Sequence, residues 1–320
     1  MWKTIVRRFL ILIPQLFVLS IIIFLLAQAM PGDALTGLVD PNMQAEDIAH
    51  LRYIHGLDRP WYERYVDWIG NLLRGDLGMS WRYRAPVVDI IAVRVPNTFR
   101  LALVTIIFTF LIAVPAGIIA AKNQDKLIDR GIIFYTFFSM SMPTVIFALI
   151  NVFIFGFTLR WFPIQGSVAV EAVPGTFDYV LSRLHHVLLP AFTGALLSTT
   201  GIINLLRSEV IEAENSEYVI TARSKGVPGR VVYGKHILKN ASLPLVTSVA
   251  VFVPFLLMGS IFIEMIFSFP GMGRLFLTAI LDRDFAVVNA LIMIFSAITI
   301  IGILLADIVM MIVDPRIRIK

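Results

Sequence analysis

Long apolar runs alternate with shorter polar segments along the whole chain. A helix needs about 20 predominantly apolar residues to cross about 30 Å of hydrocarbon. Six runs have that length, and they lie at about 9–30, 98–121, 131–158, 187–206, 243–267 and 285–313. The pattern therefore predicts an all-α polytopic membrane protein with six transmembrane helices.

Composition supports this interpretation. Of the 320 residues, 58% are hydrophobic and 15% are charged, with a mean hydropathy of +0.83. Soluble domains carry roughly 45–50% apolar and about 25% charged residues. The absence of cysteine excludes disulfides, a thiol nucleophile and a cysteine-ligated metal. The net charge of +5 would suggest nucleic acid in a soluble protein, but basic membrane-flanking loops explain it here, so no nucleic acid is expected.

Lysine and arginine are distributed unevenly between the connecting segments. The segments that would lie inside hold fifteen of them, whereas the two short outside loops hold four. Residues 31–97 are left out of this comparison because long translocated segments escape the positive-inside rule. We therefore expect cytoplasmic N and C termini. The first run is expected to be an uncleaved helix because a signal peptide has only about 7–15 apolar residues.

The chain divides into three parts on this basis. Residues 1–30 form an N-terminal tail and the first helix, and residues 98–320 form a core with the other five helices. Between them, 31–97 is too polar and too long for a turn. Its Trp and Tyr residues are typical of a membrane–water interface, so this part is interpreted as an external subdomain.

Two spans carry further signals. Ala113, Gly117 and Ala121 recur every four residues, and small residues on one face predict close packing against a neighbouring helix. Pro143 is expected to kink the third span. In the loop that follows, His185 and His186 would point to opposite sides, which argues against a shared metal.

Charges within the spans are few. An ion-coupled secondary transporter, one alternative, needs ionisable or unwound sites near the bilayer centre. Glu264 lies toward the outer end of the fifth span, and Asp307 lies about two turns from the inner end of the sixth, where an ion pair is the expected role. The scarcity of buried charge favours another source of energy.

The longest polar interruption in the C-terminal half is EYVITARSKGVPGRVVYGKHILKNASLP, residues 217–244, within a loop that we place at 208–242. It predicts two short helices. The first would place Ile211, Tyr218 and Ala222 on one face and end at a left-handed Gly226. The second would begin at Pro228 and carry Val231, Leu238 and Ala241 as its apolar positions. Such a basic element either rests on lipid headgroups or docks another protein.

An enzymatic function is disfavoured. Gly229 to Lys235 fits GxxxxGK, but His236 replaces the Ser or Thr that binds Mg²⁺, and a polar helix rather than a strand precedes the motif. The sequence contains no HExxH or GxSxG motif.

The basic loop resembles the cytoplasmic "Glu-Ala-Ala" loop of ABC-importer permeases through Thr221-Ala222-Arg223, Gly226 and Leu243-Pro244. YVITARSKG with KHILKNASLP is most similar to the oligopeptide/dipeptide/nickel permease family, and Ile220-Thr221-Ala222 at the Glu-Ala-Ala positions points to that subfamily. YIHGLDRP, GDLGMS and the E-x-x-F-x-F-P-G-x-G run from Glu264 also resemble family segments, so the similarity covers essentially the whole chain.

This resemblance implies a permease subunit of the bacterial inner membrane that forms half of a translocation pathway. The implied partners are a second, similar permease, two cytoplasmic ATPases, an extracytoplasmic binding protein and membrane lipid. ATP and Mg²⁺ would bind only to the ATPases, and this chain would hold no cofactor, metal or catalytic residue. The implied ATPase-coupling residues are Tyr218, Thr221, Ala222, Arg223, Lys225 and Gly226. The implied external gate and binding-protein docking residues are Glu264, Pro270, Gly271 and Gly273.

The substrate remains open within this family. Peptide is the default, and a nickel chelate or another small solute is the alternative. The candidate external ligands His50, His55, His185, His186 and Met79 form no cluster with metal-ligand spacing. A membrane scaffold without transport activity is a further alternative.

Overall fold

The computed structural model describes residues 2–29, 43–54, 58–242 and 260–313, together with positions 244, 245, 248, 252 and 258. The described part is mostly helical. Its N-terminal elements are α1 (Trp2–Ala29), α2 (Ala45–Ile54), α3 (Trp61–Leu73), the hairpin β1 (Met79–Ser80) and β2 (Ala85–Pro86), α4 (Val87–Lys122), α5 (Leu127–Ser141) and α6 (Thr144–Asn151). A π-helix, Val152–Thr158, follows α6.

The C-terminal elements are α7 (Phe177–Glu214), α8 (Glu217–Ser224), α9 (Gly229–Val231), a second π-helix (Val232–Leu238), α10 (Lys239–Ala241), α11 (Ile261–Ile266), α12 (Met272–Leu281) and α13 (Phe285–Val313). The predicted bounds of the last span, 285–313, are confirmed by α13. Twelve of the 25 residues of the predicted fifth span lie outside the described residues, as do Pro31-Gly32-Asp33 and the basic tail at 316–320.

Three helices in the described ranges are long and apolar enough to cross a membrane: Val87–Lys122, Phe177–Glu214 and Phe285–Val309. A fourth span results if Leu127–Ser141 and Thr144–Thr158 are counted as one broken helix. In α1, the apolar part Leu10–Leu26 is a shorter helix and does not count among these spans. The chain is therefore a helical protein with several membrane-spanning helices.

The third span is broken rather than kinked. Its two halves meet at an angle of 109°. Met142 is extended, with φ −82° and ψ 122°, because a following proline disfavours the helical conformation. The predicted bend at Pro143 is therefore present, but it is a full break rather than a kink, and it directs Thr144 of α6 towards α4 and α7.

The predicted fourth span, 187–206, is the middle of a longer helix. α7 begins at Phe177, where Thr176 caps the backbone N–H of Tyr179, and continues to Glu214. His185 and His186 consequently lie in α7 and not in a loop, and His186 Nδ1 lies 2.7 Å from the carbonyl oxygen of Ser182. Hydropathy detects only the part of a helix that is apolar on all sides.

The pair α4 and α7 forms the centre of the described fold. Ala113 and Ala121 are buried, and a Cβ added at Gly117 would lie 3.2 Å from the Ile203 carbonyl oxygen. The predicted close-packing face is therefore confirmed. α4 itself begins at Val87, eleven residues before the predicted start of the second span at 98.

The helix α3 of the 31–97 region packs against the middle of α1. The Tyr65 hydroxyl and Ser20 Oγ are 2.8 Å apart in a buried hydrogen bond. The Tyr65 ring makes edge contacts with Phe17 and Phe24, and Trp68 packs on Phe24. This part of the polar N-terminal region is thereby anchored along α1 by its aromatic face.

Candidate functional site

The predicted coupling segment begins with α8, which follows Ser216 in an extended conformation. Gly226 has φ +75°, the left-handed conformation expected for the residue that ends this helix. Its backbone N–H donates to the Arg223 carbonyl over 3.0 Å, and the Val227 N–H donates to Ala222 over 3.2 Å. The predicted stop at Gly226 is thus confirmed.

The burial of α8 separates its residues into two groups. Val219 and Ala222 are buried, at 0% and 7% exposure, in a cluster with Leu206 and Val210 of α7 and Ala121 of α4. The other predicted coupling residues are exposed, namely Tyr218, Thr221, Arg223, Lys225 and Gly226. Ala222 therefore fixes α8 to its own chain, whereas the exposed residues are free to contact a partner.

The predicted apolar face of α8 was partly wrong. Ile211 belongs to the last turns of α7, and Tyr218 is 42% exposed while Ala222 is buried. Arg223 Nη2 donates to Glu214 Oε1 over 2.5 Å, linking α8 to the end of α7. The α7–α8 turn sets this geometry, and helical spacing cannot be carried across it.

The second helix of the segment is also displaced from its predicted pattern. Its buried positions are Val232, Ile237 and Ala241 instead of Val231, Leu238 and Ala241. The cause is the π-helix Val232–Leu238, whose i→i+5 hydrogen bonds widen the turn. A period of 3.6 residues cannot describe it.

A charged pair that the sequence analysis missed lies beside this segment. Asp129, at the start of α5, is 1% exposed. Its two carboxylate oxygens accept from Nε and Nη2 of Arg207 on α7, each over 2.7 Å, and Oδ2 also accepts from the backbone N–H of Asp125 over 2.9 Å. A bidentate pair of this kind fixes both distance and orientation. The available signal was an acidic residue, Asp129, close to the basic residues Lys126 and Arg130.

At the other end of the bundle, Glu264 is fully buried. Its Oε1 accepts from the Thr98 hydroxyl over 3.0 Å, and its Oε2 accepts from the backbone N–H of Arg274 over 2.8 Å. Thr98 Oγ1 in turn accepts from the Met272 N–H over 2.8 Å. The first N–H groups of a helix lack partners within that helix. Glu264 and Thr98 therefore cap α12, because its own N-cap residue, Gly271, has no side chain.

The glycines of the Pro-Gly-Met-Gly turn make room for this carboxylate. A Cβ at Gly271 would collide with the Glu264 carboxyl group, and one at Gly273 would lie 3.1 Å from Glu264 Oε2. The Pro270 carbonyl accepts from Asn97 Nδ2 over 2.8 Å. The structure thus brings all four predicted gate residues together. We call this unit the capping cluster; it comprises Asn97, Thr98, Glu264, Pro270, Gly271, Met272, Gly273 and Arg274.

The centre of the capping cluster is buried and not itself exposed. Gly271 and Gly273 are buried together with Glu264, so these residues hold α12 against α4. Their predicted role at a gate or docking face stays a prediction. Asn97 and Thr98 were missed by the sequence analysis, because they lie more than 160 positions from their partners.

A second long-range contact joins the β-hairpin to the turn between α12 and α13. Ser80 Oγ hydrogen-bonds to the carboxylate of Asp284, which is 1% exposed. Trp81 Nε1 donates to the Arg283 carbonyl over 3.2 Å, and Arg82 Nε donates to Asp282 Oδ2 over the same distance. Two segments that the sequence assigned to the same side of the membrane are therefore in direct contact.

A cavity of about 440 Å³ lies between α4, α6, α7 and the helices α11 to α13. Among the described residues no charged side chain lines it, and its polar side chains carry hydroxyls. These hydroxyls belong to Thr98, Thr105, Thr144, Ser198 and Ser260. Thr98 belongs to both the cavity wall and the capping cluster. The described residues include no group of three His, Asp or Glu side chains that could hold a metal ion.

Long apolar helices around an uncharged cavity, with a polar helical segment packed on one end, define a multi-pass membrane protein of the permease type. Comparison with known proteins identifies the family. Residues 113–319 match the model described as "Binding-protein-dependent transport system inner membrane component", and residues 1–102 match the N-terminal model of the same systems. The chain belongs to this family and lies in the bacterial inner membrane.

Curated relatives align over nearly their full length. The chain is 38% identical to the oligopeptide transport system permease protein AppB of Bacillus subtilis (strain 168), with 98% of each chain covered. It is 34% identical to the di/tripeptide transport system permease protein DppB of Pseudomonas aeruginosa (strain UCBPP-PA14), with 99% of each covered. A chain of the inward-facing MetNI methionine ABC transporter shares the fold, with a TM-score of 0.50 and 15% identity over 69% of this chain and 96% of that one.

Proposed function

We propose that this chain is the permease subunit of an ATP-driven ABC importer and that it forms half of the pathway for peptides delivered by an extracytoplasmic binding protein. The peptide class rests on relatives named as oligopeptide and di/tripeptide permeases. The other half would be a second, similar permease, and two cytoplasmic ATPases would bind ATP and Mg²⁺. This chain would contribute no catalytic residue.

In this proposal the chain crosses the membrane six times, with both termini and α8 in the cytoplasm. The excess of lysine and arginine on that side supports the orientation. The capping cluster, the β-hairpin and the α12–α13 turn would then face the exterior, where the binding protein docks. Contact between the hairpin and that turn supports a common side for both.

The observation that carries the coupling role is the two-faced burial of α8. Its inner residues, Val219 and Ala222, share one apolar cluster with the ends of α4 and α7. Its outer face carries Tyr218 and Ile220, which are 42% and 56% exposed. Exposed apolar and aromatic residues of this kind anchor protein interfaces. Displacement of α8 by an ATPase would therefore move the two helices that border the cavity.

The transmission has a second contact through α5. Arg207 holds Asp129 at the start of α5, and α6, on the far side of the Pro143 break, places Thr144 in the cavity wall. When the ATPases close on ATP, the resulting movement would thus be transmitted to α4, to α7 and to the α5–α6 pair together. Such movement would switch the pathway between inward and outward access.

The test is ATP-dependent peptide uptake by the complete importer in proteoliposomes. Tyr218→Glu and Ile220→Glu place a charge on the outer face of α8, and we expect each to reduce uptake at least about tenfold, equivalent to about 1.4 kcal/mol. Val170→Glu is the matched control, because this side chain is 99% exposed in the loop before α7. Normal uptake in both α8 variants would contradict the coupling role.

The alternative within the family is import of a nickel chelate or another small solute. It is tested in the same vesicles by offering radiolabelled tripeptide and nickel separately with the cognate binding protein. Uptake of nickel but not of peptide would replace the proposed substrate while leaving the coupling role intact.

A further inference from the structure

A second, smaller pocket lies between α4, the π-helix Val152–Thr158 and α7, and its volume is about 280 Å³. Among the described residues its wall consists of two leucines, Leu188 and Leu189, and five aromatic side chains. These are Phe108, Phe155, Trp161, Phe162 and Phe192. An apolar cavity of about 150 Å³ already binds benzene, so this space is large enough for several carbons of a flexible alkyl chain.

The protein itself holds the wall of this pocket in place. The Phe155 carbonyl accepts from the backbone N–H groups of Trp161 and Phe162, over 2.9 and 3.3 Å. Arg160, with φ +55°, reverses the chain between the π-helix and these two residues. His185 Nε2 lies 2.8 Å from the Trp161 carbonyl oxygen, which ties the same loop to α7. The pocket is therefore preformed, and this lowers the entropic cost of binding a ligand.

Two aromatic pairs join the elements around the pocket. Phe108 and Phe192 meet edge to face, with ring centroids 6.0 Å apart, and connect α4 to α7. Phe155 and Trp161, with centroids 5.9 Å apart, connect the π-helix to the loop that follows it. Single turns of π-helix occur frequently at functional sites. The pocket thus lies where four segments of the chain meet.

The position of the pocket along the helices places it in the hydrocarbon layer. Phe108 precedes Lys122 by 14 residues, and Phe192 precedes Arg207 by 15. At 1.5 Å per residue, the pocket lies about 21–23 Å from the α8 end of a hydrocarbon core that is about 30 Å thick. It is therefore beyond the bilayer centre, in the leaflet remote from α8. Lipid acyl chains, and not water, surround the protein at this depth.

A basic residue stands beside the pocket. Arg160 directly precedes Trp161, is exposed and forms no ion pair with a described residue. Trp161 is itself 59% exposed, which is typical of tryptophan at a membrane–water interface. Basic residues near the membrane surface attract anionic headgroups, and a guanidinium group binds phosphate through paired N–H donors. An apolar pocket with a cation beside it matches the two parts of an anionic phospholipid.

We propose that this pocket binds one acyl chain of an anionic phospholipid, with the lipid phosphate at Arg160. The site is separate from the cavity of about 440 Å³, because the two linings share no described residue. It adjoins the same helices, however: Phe108 lies one turn from Thr105, which lines the larger cavity. A bound acyl chain would fill the space between α4, α7 and the π-helix and would stabilise their relative positions.

The test is photolabelling of the complete importer in nanodiscs that contain phosphatidylglycerol with a diazirine on its acyl chain. We expect label on Trp161, on Phe162 and on α7 around Leu188. Leu188→Trp fills the pocket and should reduce this labelling at least about tenfold, which corresponds to the loss of about two buried methylenes. Equal labelling of Leu188→Trp and the wild type would overturn the proposal.

Two further variants separate filling of the pocket from misfolding. Leu111→Trp adds the same ring at an exposed position of α4 and is the matched control, so it should be labelled like the wild type. Leu188→Ala removes the same leucine but enlarges the pocket, and it should keep the label. Loss of label from either variant would contradict binding of the chain in this pocket.

The headgroup is tested by competition with unlabelled phosphatidylglycerol or phosphatidylcholine. The wild type should prefer phosphatidylglycerol about fivefold, the contribution of one basic residue near the membrane surface. Arg160→Gln should bind the two lipids alike, whereas Arg84→Gln, at an exposed arginine of the β-hairpin, should keep the preference. A preference that survives Arg160→Gln would refute the position assigned to the phosphate.

The alternative occupant is an apolar segment of a partner protein. Because the chain contains no cysteine, Leu188→Cys can carry a single benzophenone maleimide. We expect this group to react with lipid in the complete importer, and reaction with the second permease instead would overturn the proposal. None of these measurements depends on the transported substrate, so failure of the lipid site is distinguishable from failure of the proposed function.

Discussion

Two buried carboxylates at opposite ends of the helix bundle are stabilised in different ways. Asp129 is paired with a guanidinium group through two hydrogen bonds of 2.7 Å. Glu264 instead receives hydrogen bonds from a threonine hydroxyl and a backbone N–H. The first arrangement joins α5 to α7 beside α8, and the second joins α4 and α11 to the start of α12.

The difference separates two ways of fixing a helix. An ion pair between side chains can move with its helices as they shift, because only the two partners need to stay together. A carboxylate that caps a helix N-terminus holds that backbone in one place and needs space that only glycine leaves. We therefore expect the α8 end to transmit movement and the capping cluster to act as a rigid unit.

The largest effect is expected for Asp129→Asn. Removing one member of a buried pair costs about 3–5 kcal/mol, and the partial exposure of Arg207 favours the lower end of that range. Thermal unfolding of the purified complex measures the loss. The exchange Asp129→Arg with Arg207→Asp should recover part of the stability, and Arg223→Gln, which breaks an exposed pair, should cost about 0–1 kcal/mol. Equal losses for the buried and exposed pairs would contradict the comparison.

Gly271→Ala is expected to come next, with a cost of about 1–3 kcal/mol, because the new Cβ collides with the Glu264 carboxyl group. Glu264→Ala in the same chain should relieve the collision, so the double variant loses less than the sum of the two single changes. Gly201→Ala is the control, since nothing lies within 4 Å of its added Cβ. Additive losses at Gly271 and Glu264 would refute a direct collision.

Thr98→Val tests the hydroxyl that both donates to Glu264 and accepts from Met272. It leaves buried groups unpaired, at an expected cost of about 1–3 kcal/mol in thermal unfolding. Thr98→Ser keeps the hydroxyl and should remain close to the wild type. If valine and serine behave alike, the hydroxyl does not cap α12.

The smallest effect concerns Tyr233, beside α8. Burial, with a contribution from Glu214, raises the pKa of Tyr233 from 10.0 to about 12. A folded-state pKa above the unfolded value gives stability that is present below pH 10 and is lost as the pH rises towards 12. Tyr233→Phe should remove this dependence with little change at pH 7, because no described residue forms a hydrogen bond with the buried tyrosine hydroxyl. An unchanged alkaline profile would contradict the assignment.

The sequence predicted the features that depend on neighbouring residues. The bounds of α13, the left-handed Gly226 and the small-residue face of α4 are all local patterns. It failed where a helix changed its period, as in Val232–Leu238, and it predicted a kink at Pro143 where the helix breaks at 109°. The predicted span 187–206 was shorter than α7, because the polar turns at both ends of that helix carry no hydropathy signal.

Within the candidate site, the sequence identified one side of each contact and missed the other. Glu264 and the glycines were recognisable as a motif, but Thr98 became visible only when the fold brought α4 against α12. In the same way, Arg207 entered the sequence analysis only as one of fifteen basic residues on the inner side, and its pairing with Asp129 became apparent in the fold. Long-range partners of this kind leave no pattern in the spacing of a single sequence.

The most direct test uses the absence of cysteine from the chain. Thr221→Cys places a single thiol on the exposed face of α8, and Val170→Cys, in the loop before α7, is the control. In the complete importer we expect only the Thr221→Cys thiol to cross-link to an ATPase subunit, and the cross-link to stop peptide uptake. Labelling of that thiol by an impermeant maleimide from outside intact cells, or uptake that continues after cross-linking, would contradict the account.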